Sequence, residues 1–153
     1  MLSQIDHINL VVADMDAMIH FYTTALGLRI TKRVTISGPW IAAVVGLANV
    51  QADVVYLDLP TGPRIELIHY LSPQADRPPM LDRPNTPGLR HLAFRVDDLD
   101  AAASLLDHYG IAHGPLQQVP DSQVTYANNV RKRLLYFNDP EGNLLELCEY
   151  KTP

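Results

Sequence analysis

The sequence is short of several things, and each shortage closes off a class of protein. It has one cysteine, Cys148, so no internal disulfide can form and a reducing compartment is the expected setting. No apolar run approaches the roughly 20 residues with which a helix crosses a bilayer, so no membrane partner is expected. The opening MLSQIDHINL lacks the basic, apolar and small-residue order of a secretory signal, which makes the cytoplasm the expected location. Basic residues are outnumbered, 12 Lys and Arg against 17 Asp and Glu, for a net charge of −5. A nucleic-acid partner, which calls for a basic face, is therefore not expected. What is present is an ordinary globular composition over 153 residues, within single-domain range and able to bury a respectable core.

The most informative content is a pattern used twice. His7 opens IDHINLVV and His91 opens LRHLAFRV, while Glu66 sits in RIELIHY and Glu146 in LLELCEY. A shift of 84 residues carries His7 onto His91, and with it Asp14, Met15, Asp16 and Ala17 onto Asp98, Leu99, Asp100 and Ala101. Gly27 and Gly110 close the two helices with a one-residue slip, and each glutamate follows a turn glycine (Gly62, Gly142) by four residues. Two imidazoles and two carboxylates placed alike in a duplicated unit are the raw material for one shared metal site.

Periodicity predicts the order β-α-β-β-β, twice. In the first copy, Ile5 to Val12 reads as a strand, and Asp14 caps a helix carrying Met15, Ile19, Tyr22 and Leu26 at helical spacing. Leu28 to Ile36 is a second strand, Ile41 to Leu47 is a short helix or a flap, and Asp53 to Leu59 with Arg64 to Tyr70 form a hairpin. Leu71 to Gly88 holds five prolines and reads as a linker. In the second copy, Leu89 to Val96 is a strand, and Asp98 caps a helix to about Tyr109. Ala112 to Val119 is a strand, Pro120 to Lys132 a polar loop, and Leu134 to Phe137 with Leu144 to Tyr150 a hairpin. The expected fold is thus α+β, two tandem β-α-β-β-β modules forming a curved mixed sheet around a metal site. The modules are residues 1–72 and 89–153, joined by a proline-rich linker at 73–88 and making one structural domain together. Strand pleat puts His7 with Asn9, Arg64 with Glu66, His91 with Arg95, and Glu146 with Cys148 and Tyr150 on mixed faces. The opposite, uniformly apolar faces suit a helix.

The phrases DHINLVVADMDAMIHFYTTALGL, RIELIHYLSP, GLRHLAFRVDDLDAA and YFNDPEGNLLELCEY resemble the vicinal oxygen chelate superfamily over essentially the whole chain. That superfamily includes lactoylglutathione lyase, methylmalonyl-CoA epimerase, extradiol dioxygenases and fosfomycin and bleomycin resistance proteins. The resemblance implies two modules half-enclosing a divalent metal held by His7, Glu66, His91 and Glu146. Four protein ligands lean toward the epimerase and glyoxalase branches, because extradiol dioxygenases use two histidines and one carboxylate. One departure stands out: the epimerase's additional acid/base glutamate has no counterpart in VQADVVYL, which offers only Gln51 or Asp53. The resemblance favours Glu146 as the catalytic base, and the symmetry of the repeat allows Glu66.

A shell of two imidazoles and two carboxylates suits Zn, Ni, Co, Mn or Fe and leaves two adjacent positions for a substrate with neighbouring oxygens. Proton transfer next to a carbonyl, through an enediolate, is the reaction such a site serves most directly. The expected function is an isomerase or lyase acting on a small molecule. The alternatives are an Fe(II) extradiol dioxygenase and a non-catalytic drug-binding resistance protein. Asn9, Arg64, Arg95, Cys148 and Tyr150 are candidate substrate-pocket residues. Arg131, Lys132 and Arg133 read as an exposed loop cluster, with the alternative of meeting an anionic tail such as that of a thioester cofactor, and His20, His69, His108 and His113 as surface or packing residues. Open sheet edges and the habit of the resembling families suggest a homodimer.

Overall fold

Asp14 and Asp98 start their helices in the same way. Each has extended backbone and accepts a hydrogen bond from the amide three residues on, Ala17 N at 2.9 Å and Ala101 N at 3.0 Å. This satisfies a donor that has no partner within the helix. The computed structural model describes residues 2–123 and 126–152. Among these the chain divides into two compact units, Met1–Arg77 and Pro78–Pro153.

The first unit contains β1 (His7–Val11), α1 (Met15–Thr24), β2 (Arg29–Ser37), α2 (Pro39–Val45), β3 (Gln51–Asp58) and β4 (Arg64–Ser72). Its four strands lie in the order β1-β4-β3-β2, with β1 parallel to β4 and the other pairs antiparallel. One face is apolar: Val55 and Leu57 of β3 and Ile65 and Leu67 of β4 are buried, as are Met18, Ile19, Phe21 and Tyr22 of α1. The segment Ile41 to Leu47, open between helix and flap in the sequence, is helical because Pro39 presets the first turn and Gly46 closes the last at φ 71°.

The second unit contains β5 (His91–Arg95), α3 (Leu99–His108), β6 (Gln117–Gln118), a 3₁₀ turn (Ala127–Asn129), β7 (Arg131–Asn138) and β8 (Leu144–Lys151). The strand order β5-β8-β7-β6 repeats that of the first unit, with β5 parallel to β8. Leu135, Phe137, Leu145 and Leu147 are buried together with Leu99, Ala103 and Leu106 of α3. The β7–β8 turn is built on Asp139, whose Oδ1 accepts from Glu141 N (3.0 Å) and Asn143 N (2.8 Å). Gly142 supplies the positive φ of 76° that this turn requires.

Two expectations are corrected. The strand expected over Ala112 to Val119 shrinks to Gln117–Gln118 plus a single bridge from His113 to Phe137. Pro115 has no N–H to offer a ladder, so beside that bridge the segment reaches β7 through Gly114 N, bonded to Tyr136 O at 2.7 Å. Arg131, Lys132 and Arg133 are no exposed loop cluster but the start of β7, where alternation sends Lys132 to one face and Arg133 to the other. Among the described residues no helix is long and apolar enough to cross a membrane.

Candidate metal centre

Parallel pairing of first and last strands brings a histidine to a glutamate in each unit. Register sets Asn9 beside Glu66 and Ala93 beside Glu146. Each histidine lies two residues earlier on the same face, diagonal to its glutamate. The outcome is the same twice: His7 Nε2 is 3.4 Å from Glu66 Oε2, and His91 Nε2 is 3.4 Å from Glu146 Oε2. Both carboxylates are largely withdrawn from water, at 9% and 3% exposure. Among the described residues no three or more His, Cys, Asp or Glu side chains are grouped to hold a metal ion. The donors stand in pairs, one pair in each unit.

The chemistry of the first pair calls for a proton or a metal ion. Asp6 Oδ2 accepts from His7 Nδ1 at 2.8 Å, which places the imidazole lone pair on Nε2, facing the lone pairs of Glu66. Two acceptors pointed at each other repel unless a proton or a metal ion lies between them. A histidine whose outer nitrogen is held by a carboxylate is also the usual support for a metal-binding imidazole. The same hydrogen bond holds the Asp6 carboxyl below its usual value of 3.8.

A third member of each half-site escaped sequence reasoning. Tyr56 on β3 is in register with Glu66, and Tyr136 on β7 with Glu146. The Tyr56 hydroxyl donates to Glu66, and that bond is the main reason its pKa is pushed up to about 12. Tyr136 is also raised, first by burial, then by the charge of Glu146 and a hydrogen bond to it. The signal was in the sequence, since each tyrosine precedes its glutamate by ten residues. The Tyr136 ring also lies against the His91 ring, centroids 5.3 Å apart.

Beyond these shared members the halves differ. Glu66 has neutral helpers, Tyr56 and Asn9, whose Nδ2 donates to Oε2 at 3.1 Å. Glu146 has Lys132, whose Nζ is 2.7 Å from Oε1. Burial pulls the Lys132 ammonium down, but the hydrogen bond to Glu146 and its charge outweigh this and leave it raised. The counterpart of Lys132 in the first unit is Ala52, and that of Asn9 in the second is Ala93.

The remaining candidates fall into place around these halves. Arg64 stacks over Tyr56 at 5.3 Å and reaches Asp58 at 3.6 Å. It borders an open groove of about 420 Å³ that also takes in Asp6 and Asp58, beside His7. Arg95 stacks over Tyr150 at 5.4 Å. Cys148 is buried, which raises its thiol pKa. His69 is satisfied by Val12 O at 2.9 Å and His113 by Gly114 O at 2.7 Å. His20 and His108 are exposed on their helices.

Residues 4–147 match the family described as Glyoxalase/Bleomycin resistance protein/Dioxygenase superfamily. An uncharacterised protein of Escherichia coli K12, YaeR, is 41% identical over 85 residues, 56% of this chain and 57% of that protein. The chain thus matches little more than half of YaeR. A 2-epi-5-epi-valiolone epimerase of an Actinomyces species is 29% identical over 147 residues, 94% of this chain and 77% of that enzyme. The crystal structure of a glyoxalase family protein from Bacillus cereus superimposes with a TM-score of 0.78 at 29% identity, covering 98% of this chain and 95% of the other.

Proposed function

The chain belongs to the glyoxalase/bleomycin resistance protein/dioxygenase superfamily, and from that premise we propose a metal-dependent isomerase or lyase that moves a proton at a carbon next to a carbonyl. The observation that carries this reading is the duplicated set His7–Glu66–Tyr56 and His91–Glu146–Tyr136, each with an imidazole nitrogen 3.4 Å from a buried carboxylate. His7, Glu66, His91 and Glu146 would hold one divalent ion per chain, of the Zn, Ni, Co, Mn or Fe type. Nitrogen and oxygen donors of this kind suit those ions, and two carboxylates neutralise a double positive charge. A bound ion supplies Lewis acidity, which stabilises negative charge on a carbonyl oxygen as the neighbouring carbon loses its proton. The match to a valiolone epimerase, an enzyme whose name denotes inversion at a carbon, supports the isomerase side.

The chain's own residues divide the remaining work unequally. A base must turn from its resting partners to reach the substrate carbon and then return. Glu146 is tied by a charge-assisted bond to Lys132 at 2.7 Å, about twice as strong as a neutral hydrogen bond. Glu66 is held by the uncharged donors Asn9 and Tyr56. The structure-based reading therefore moves the base from Glu146, favoured by resemblance, to Glu66, with Glu146 as the fixed carboxylate.

The test combines elemental analysis with proton exchange in D₂O, followed by NMR on candidate 2-hydroxy and 2-oxo compounds. One ion per chain is expected, lost in His7→Ala and in His91→Ala; full occupancy in both variants rejects the ligand set. Glu66→Gln should lose exchange by roughly 10²- to 10⁴-fold, as for a missing general base. Loss confined to Glu146→Gln reverses the assignment of the base, and unimpaired exchange in both rejects proton transfer. Oxygen uptake with a catechol by iron-loaded protein would place the chain with ring-cleaving relatives instead.

A further inference from the structure

The second unit carries a group of residues that ligation does not use. Arg95 of β5 and Tyr150 and Cys148 of β8 lie on the Glu146 face, with Lys132 of β7 in register with Tyr150. The Arg95 guanidinium sits 5.4 Å from the Tyr150 ring centroid and the Lys132 ammonium 5.8 Å from it. Tyr126 meets Tyr150 edge-on, with centroids 5.5 Å apart and planes at 83°, and so steadies the ring on which both cations stand.

We propose that Arg95, Tyr150 and Lys132 form a receptor for an oxyanion of the substrate, a carboxylate or a phosphate, beside Glu146. This rests on the reading of Glu146 as part of the reacting site. The first argument is charge. Two other strand arginines are neutralised, Arg133 by Asp100 through two bonds of 2.7 and 2.9 Å, and Arg64 by Asp58 at 3.6 Å. Among the described residues no carboxylate pairs with Arg95, which stacks on the Tyr150 ring. Stacking on an aromatic face orients a guanidinium while leaving its N–H edge open, the arrangement that receives a bidentate carboxylate or phosphate.

The second argument is the repeat. The residues shared by the two units include the candidate ligands, their tyrosines and Tyr150, whose counterpart is Tyr70. Arg95 and Lys132 instead correspond to Val11 and Ala52, so this pair of cations was not carried along by duplication. Their place also gives the ligand a size. Arg95 is in register with Cys148, two residues beyond Glu146, which is roughly 7 Å along a strand. The anion therefore stands several bonds from the reacting carbon, as in a small hydroxy or oxo compound with a charged tail. Lys132 keeps its 2.7 Å bond to Glu146 and has further N–H donors with which to meet the anion.

The test uses zinc-loaded, ¹⁵N-labelled protein titrated with methyl phosphate and, separately, with propionate, with metal content measured on every sample. Saturable shifts of the Lys132, Cys148 and Tyr150 amides are expected, and the tighter of the two probes identifies the anion as phosphate or carboxylate. Arg95→Met, at an exposed position with no ion pair to lose, should weaken binding about tenfold or more, with metal content unchanged. Arg95→Lys should fall between, since it keeps the charge and loses the fork. Lys132→Met should weaken binding in the same direction. Wild-type titrations in Arg95→Met, or shifts confined to other parts of the chain, overturn the receptor while leaving the metal reading intact. Absence of metal from the wild-type protein overturns the metal reading, and with it the place of the receptor in a reacting site.

Discussion

A lysine bonded to a carboxylate competes with any metal that wants the same oxygen atoms. Lys132 occupies Glu146 Oε1 at 2.7 Å, so an incoming ion must displace or share with a positive charge. Lys132→Met should accordingly raise divalent-ion affinity, by about tenfold for a charge-assisted bond of ordinary strength, measured by competition with a chelator. A drop in affinity would mean that the ammonium orients Glu146 for the ion. The tyrosines act in the opposite direction. Tyr56→Phe and Tyr136→Phe each remove a hydroxyl that steadies a carboxylate, and each should cost roughly 10- to 100-fold in metal affinity with little change in global stability. Equal metal affinity in both variants and the wild type would reduce the tyrosines to packing residues.

At the scale of elements, α3 is anchored from beneath by a residue of β8. Glu149, only 1% exposed, accepts from Leu99 N at 3.0 Å at the start of α3, and from Lys151 Nζ at 2.8 Å. Its negative charge at a helix N-terminus is favourable, and its pKa is lowered, chiefly by the Lys151 hydrogen bond, against the opposing effect of burial. A lowered carboxyl contributes stability above its ordinary value of 4.5, and that contribution is lost as pH falls through the lower, folded-state value. Glu149→Gln should therefore be less stable at pH 7 by roughly 1–3 kcal/mol. It should also show a shallower fall in stability below pH 4.5 than the wild type in urea titrations. Parallel acid curves would assign the acid sensitivity to other carboxylates.

How far such elements could be read in advance depended on whether local chemistry or distant pairing defines them. Both long helices were legible because Asp14, Asp98, Gly27 and Gly110 mark their ends with chemistry that acts within a few residues. The extent of β7 was not. Arg131-Lys132-Arg133 has the composition of a solvated loop, and only pairing with β8 turns it into a strand. The histidines and glutamates stood out because the repeat displays them twice, and the tyrosines were displayed as openly ten residues earlier. Lys132 breaks the repeat, so nothing in the pattern pointed to its bond with Glu146.

For the whole molecule, the sheet orders leave β1 and β2 at the edges of one sheet and β5 and β6 at the edges of the other. Unpaired strand edges invite a partner, and a homodimer is the expected assembly, with light scattering giving about twice the 17.1 kDa of one chain. A monomer mass at micromolar concentration would contradict it. The parallel pairing of β1 with β4 and of β5 with β8 has a further result, in time rather than in space. Asn9 and Glu66 are 57 residues apart in the chain, so during synthesis a histidine leaves the ribosome long before the carboxylate that will face it. Contacts that close loops this long form late, after shorter-range turns and helices. Each unit already has an apolar core that requires no ion. Uptake of the proposed ion would therefore follow folding instead of driving it, and a cell starved of that ion would accumulate folded, loadable protein rather than unfolded chain.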